Sequence, residues 1–178
     1  MINGLGPFGL PEARINRAIE WFDPYELNEL DSYLNDENDI AISIDSDIEN
    51  EILQIKVRFV SRNALNTHKL VVYLLEDGLI ADQSNYLNFD ETSYFYNQGN
   101  PIIDYEHNDV LRHTFTNVLG DQLGNIEPYE DVINFYNIDL STNNFQSENL
   151  RIVAFITDSE NLTINSQYVS VGEFQDFN

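Results

Sequence analysis

The stretch Ile40–Val60, IAISIDSDIENEILQIKVRFV, decides the fold. Ile40, Ile42 and Ile44 alternate with Ala41, Ser43 and Asp45, and Ile55, Val57 and Phe59 alternate with Gln54, Lys56 and Arg58. Successive side chains of a strand point to opposite faces, so a period of two means one buried face and one wet face. The polar link from Asp45 to Glu51 joins the two runs, which predicts an antiparallel hairpin.

Towards the C-terminus, Leu70 to Leu75 (LVVYLL) is apolar on both faces and predicts a central strand, ending at the turn signal Glu76-Asp77-Gly78. Leu150, Ile152, Ala154 and Ile156 share one face while Val153 and Phe155 take the other, so Leu150–Thr157 predicts a second central strand. Asn134 to Leu140 and Leu162 to Val171 read as further strands. Turn signals at Thr142-Asn143-Asn144 and Asp158-Ser159-Glu160-Asn161 separate these runs. Between the two halves lies a long stretch from Gln83 to Tyr105, dense in Asn, Asp, Tyr and Phe, which predicts an excursion at one end of the fold. Val110 to Phe115 reads as a strand or a helical turn. The chain is therefore expected to be mainly β: an antiparallel β-sandwich, Ig-like or jelly-roll-like, over residues 39–178. The alternative is an α+β domain with residues 107–118 as a helix on the sheet.

Towards the N-terminus, Glu12 to Trp21 reads as a short strand or a turn of helix. Asp23 followed by Pro24 is a helix-start signal, and Leu27, Leu30 and Leu34 recur at helical spacing behind it. The acidic run Asp36 to Asp39 reads as a linker.

The chain has 178 residues, 42% of them hydrophobic and 12% aromatic, enough for a core that needs no staple. Its 31 acidic residues face 8 basic ones, a net charge of −23. Only Lys56 and Lys69 are lysines. No basic cluster exists to neutralise phosphates, so no nucleic-acid partner is expected. The acidic surface reads as a solvating coat, or as an attraction for cations or a basic partner. There is no cysteine, which removes thiol chemistry and disulfides. No run of about 18 apolar residues exists to span a membrane as a helix. Residues 1–11 lack the basic start of a signal peptide, so an export signal is expected upstream.

No G-x-S-x-G elbow and no phosphate-binding glycine loop is present. His68, His107 and His113 have no metal-ligand spacing. Two of the many acids could serve as a glycosidase pair, but their abundance makes that signal uninformative. Asp45, Asp47 and Glu49 crowd one turn and are a weak Ca²⁺ candidate, set against a merely wet hairpin tip. The densest grouping is His107-Asn108-Asp109-Val110-Leu111-Arg112. If a strand follows Asp109, Leu111 faces the core and Arg112 faces away, toward Glu76 or Asp77. Structurally, this ties the loop down by charge-assisted hydrogen bonds. Functionally, it makes a polar rim beside Tyr94, Phe95, Tyr96 and Tyr105. The candidate ligand-binding residues are thus Glu76, Asp77, Tyr94, Tyr96, Tyr105, His107, Asn108 and Arg112.

Two of these segments resemble a known family. Leu74-Leu75-Glu76-Asp77-Gly78-Leu79 looks like its E-D-G motif, and residues 107–112 look like its H-N-H-V-L-R motif. The family is the outer-membrane-protein-28-related group of Bacteroidetes surface lipoproteins. Arg151 to Glu160 is similar to its closing strands. Gly9-Leu10-Pro11 with Asn16-Arg17 resembles the end of the thioredoxin-like domain that precedes its sandwich. The resemblance implies that residues 1–38 are a remnant of that domain, strand plus helix, with a linker. It implies that Pro11 matches the cis proline of thioredoxin folds, and that redox cysteines, signal peptide and lipid anchor lie upstream. Asp109 stands where the family carries a second His, which argues against a two-histidine site.

The expected function is a non-enzymatic cell-envelope or surface module that contacts protein or glycan, without a cofactor. One alternative is an accessory domain of a thioredoxin-like redox protein. Another is a carboxylate-pair glycoside hydrolase.

Overall fold

The computed structural model describes residues 13–22, 26–33, 38–142 and 144–178. Its strands are β1 (Ala13–Ile15), β2 (Ile19–Trp21), β3 (Ile40–Glu49), β4 (Ile52–Ser61), β5 (Lys69–Glu76), β6 (Leu79–Gln83), β7 (Ile102–His107), β8 (Val110–Thr114), β9 (Asp121–Gln122), β10 (Asp131–Asp139), β11 (Leu150–Thr157), β12 (Thr163–Ser170) and β13 (Phe174–Gln175).

Two antiparallel sheets face each other. One runs β10-β4-β3-β13; the other runs β12-β11-β5-β8, with β9 also on β5. Ile42, Ile44, Val57 and Phe59 from the first sheet share one core with Val72, Leu74, Ile152 and Ile156 from the second. This is the expected sandwich, made by strands that each bury one face. The β3–β4 hairpin closes at Asn50-Glu51, both with positive φ, as a tight two-residue turn requires. The sequence reading placed the link at Asp45 to Glu51. Instead β3 stays paired to Glu49, so Asp45, Asp47 and Glu49 lie along a strand and not around a turn.

Strands β5 and β11 are both interior, as their double-faced apolar patterns predicted. The face turned away from the core is covered too. Arg17, in the β1–β2 turn, lies 5.0 Å over the Phe155 ring and donates to the Val118 carbonyl at 3.1 Å. The Tyr73 hydroxyl donates to the same carbonyl, and its ring meets Phe155 edge-on at 5.4 Å. Burial pushes the Arg17 pKa down and the Tyr73 pKa up.

Residues 110–114 are a strand, which removes the helical alternative for 107–118. Before the sandwich, the described residues are few. Residues 13–21 make a two-strand hairpin, and Leu27–Tyr33 is a seven-residue 3-10 segment with no buried side chain. Leu27 is exposed and Leu30 only half-covered, so their stripe has no apolar surface to favour an α-helix. Pro11, Asp23, Pro24, Leu34, Asp36 and Asn143 lie outside the described residues.

Candidate functional site

The polypeptide leaves the sandwich at the end of β5 and returns along β8. Between them β6 and β7 form a separate two-stranded hairpin carrying the loop 84–101. The candidate residues fall into two groups along this excursion: a polar corner at its base and an aromatic tip.

At the corner, the Glu76 carboxylate is 0% exposed. It pairs with the Arg112 guanidinium and accepts from the Gln146 backbone N–H at 2.8 Å. Arg112 in turn lies 5.1 Å over the Phe145 ring. Asp77 accepts from the Asp109 N–H at 2.8 Å and pairs with Arg151 at 2.7 Å. Asn108 accepts from the Gly78 N–H at 2.8 Å. Gly78 has φ +71, and an added Cβ would stand 3.3 Å from Asn149. The E-D-G and H-N-D-V-L-R segments therefore hold each other, side chain to backbone, across the base of the hairpin. Such charge-assisted bonds are the stronger kind.

The expectation for Leu111 and Arg112 needs correcting. Arg112 does meet Glu76, but on the buried side, and Leu111 is 46% exposed. The β5–β8 register shows why. Leu74 pairs with His113 and Leu75 with Leu111, so Arg112 is the extra residue of a β-bulge. A bulge inserts one residue and reverses which side chains face inward beyond it.

At the tip, Asn85 is buried and organises the loop. Its amide donates to the carbonyls of Phe95 (2.9 Å) and Gly99 (2.8 Å), and its oxygen accepts from the Leu87 N–H at 3.0 Å. Asn88 accepts from the Gly99 N–H at 2.8 Å. Asp90 accepts from both the backbone and hydroxyl of Thr92, which holds its carboxyl below the usual range. The loop is thus cross-tied by its own Asn and Asp side chains. This framework turns Tyr86, Phe89 and Tyr94 outward, with Phe89 87% and Tyr94 84% exposed. Tyr96 is also exposed. Behind them, ring contacts run from Tyr94 to Phe95 (5.3 Å), to Tyr105 (6.3 Å) and to His107 (5.0 Å). This line of rings joins tip to corner.

The structure thus brings Glu76, Asp77, Asn108 and Arg112 together, and links Tyr94, Tyr105 and His107. Sequence reasoning named Asp109 without making it a candidate, and missed Phe145 and Arg151 at the corner and Asn85 and Phe89 at the tip. An Asn beginning an aromatic loop was the available signal for Asn85. Phe145 and Arg151 come from a distant segment and left none.

The calcium candidates do not converge. Side chains two apart on one strand face are spaced by about 7 Å, and Lys56 stands opposite Asp45. Among the described residues no three His, Asp or Glu side chains gather as a metal-binding group. His113 packs on Phe115 at 4.9 Å, apart from the other two histidines.

The family model for outer membrane protein Omp28 matches residues 2–175. Among solved structures, the chain is similar to HBP35 of Porphyromonas gingivalis, with a TM-score of 0.67 at 14% identity. That match covers 94% of this chain and 55% of HBP35, so the chain spans little over half of that protein. At this identity the likeness is one of fold. A domain of the outer membrane lipoprotein Omp28 from the same organism aligns with a TM-score of 0.45 at 20% identity, over 75% of this chain and 96% of that one. No curated protein matches.

Proposed function

This chain belongs to the Omp28 family of outer membrane proteins, and from that cell-envelope setting we infer that it is a non-enzymatic surface module that contacts protein or glycan through the tip of its β6–β7 hairpin. One observation carries this reading: Tyr86, Phe89 and Tyr94 are held outward by a loop whose backbone is tied to the buried Asn85. Rigid aromatic rings offer large contact area at little entropic cost, and pre-ordering lowers the cost of binding. The polar candidates at the corner support a non-catalytic role, because Glu76, Asp77, Asn108 and Arg112 are each engaged in holding the hairpin.

The test is a glycan array together with a panel of surface-protein peptides, read with the wild-type chain and with Phe89→Ala/Tyr94→Ala. Binding that vanishes in the double variant supports the tip as the contact surface. Binding that survives it removes this surface from the reading.

A second reading, an accessory domain of a thioredoxin-like redox protein, draws on the docking of the β1–β2 turn against the sandwich through Arg17. A longer natural chain whose thiol-exchange rate is unchanged by deleting residues 39–178 would remove it.

A further inference from the structure

An edge strand leaves half its backbone hydrogen-bonding groups without a ladder partner, and natural proteins cover, shorten, bend or charge such edges. Three of the four sandwich edges follow this rule. β13 has two residues and β8 has five. The open side of β12 is crossed by the C-terminal segment: Asn178 donates to the Ser166 carbonyl at 3.0 Å and Gln167 to the Asp176 carbonyl at 3.3 Å.

β10 does not follow it. It runs nine residues in unbroken register with β4, and among the described residues no other strand pairs with it. Its interior, Val132 to Ile138 (VINFYNI), contains no charge, no proline and no bulge. Acids bracket this run: Glu127 and Glu130 at one end, where Asp131 is already paired with Arg58 at 2.6 Å, and Asp139 at the other. In the middle, Phe135 is 74% exposed. It borders a shallow groove of about 400 Å³ that Asp45, Asp47 and Lys56 also line.

Charge decides the occupant. A second copy pairing antiparallel about Phe135 would bring together two chains of charge −23. An extended segment with an apolar, β-branched centre and Lys or Arg at both ends matches the acid-flanked run instead. We propose that the open edge of β10 is a strand-addition site for such a Lys- or Arg-flanked segment of a partner protein. The backbone ladder supplies affinity, alternate side chains supply selectivity, and the segment's apolar centre packs on the Phe135 ring. This site lies on the sheet that does not carry the β6–β7 hairpin, so it stands independently of the aromatic tip.

The experiment uses the whole chain and a synthetic peptide of alternating Thr and Val with Lys at each end. Binding is followed by isothermal titration, and hydrogen exchange locates it. The expected result is new protection at alternate amides between Val132 and Ile138. Affinity should fall at least about tenfold for three changes: Glu in place of the peptide's Lys residues, N-methylation of its alternate amides, and Phe135→Lys in the chain. Tyr94→Ala should leave it unchanged. Absence of protection on β10, equal binding of the Glu peptide, or self-association of the chain through β10 would each overturn the proposal.

Discussion

Arg112 closes over the fully buried carboxylate of Glu76, across a bulge that turns it into the protein. Removing one partner of such a pair strands the other charge in a poorly solvated place. Arg112→Ala should therefore cost about 3–5 kcal/mol in urea unfolding. The double change Arg112→Ala/Glu76→Gln should recover most of that loss, since the Gln146 N–H keeps an acceptor. Equal stability of the single and double variants would refute this account of the pair.

Gly120 has φ +95, and a Cβ there would stand 2.9 Å from both Lys69 Cβ and Val71 Cγ2. The loop after β8 lies directly on the outer face of β5, with no room for a side chain. Gly120→Ala should lower stability by roughly 1–3 kcal/mol through strain and displacement. Gly124→Ala, with open space around it, should cost less. Thermal melts of the two variants give the comparison.

Burial pushes the Tyr136 hydroxyl up to about 12, with Asp121 adding to the effect. The unfolded chain ionises this phenol near its ordinary value of about 10. The folded state therefore holds the proton longer, so the stabilisation is complete below pH 10. It is lost as the pH rises from there towards 12. Denaturant midpoints measured across that window should fall with pH, and Tyr136→Phe should make the fall shallower. A fall of the same steepness in the variant would show that Tyr136 is not its source.

Asn85 is buried, and the aromatic tip depends on its hydrogen bonds. Asn85→Ala takes a donor from the Phe95 and Gly99 carbonyls and the acceptor from the Leu87 N–H, a local loss of roughly 1–3 kcal/mol. Amide exchange across residues 86–99 should quicken while exchange in β5 and β11 stays slow. Any ligand found for the tip should bind Asn85→Ala more weakly, although the ring set is intact.

The sandwich was legible because half-buried strands leave a two-residue period, and Ile40–Phe59 shows it over both arms of one hairpin. The interior strands were legible because their second face is also apolar. What covers that face, the Arg17 turn and residues 116–120, comes from segments with no periodic signal. The pairing of β6 with β7 escaped notice because the register breaks between Ala81 and Gln83, where Asp104 has positive φ. Leu111 misled for a different reason. Hydropathy assigns a leucine to the core, but one inserted residue reverses a strand's faces, and insertion is a property of two strands together. The helix expected after Asp23 is of the 3-10 kind over Leu27–Tyr33, because spacing describes a stripe without saying whether a surface exists to receive it.

Along one margin the two layers are stitched by side-chain amides in place of a ladder. Asn165 donates to the Ile40 carbonyl at 2.6 Å and to Asn178 at 3.1 Å, while Asn178 accepts from the Ile42 N–H at 3.3 Å. Parting the halves there breaks a few amide contacts and leaves each sheet's own pairing whole. The molecule consequently has a built-in line of first yielding, and amide hydrogens at Ile42 and Ser166 should be the earliest in β3 and β12 to report it.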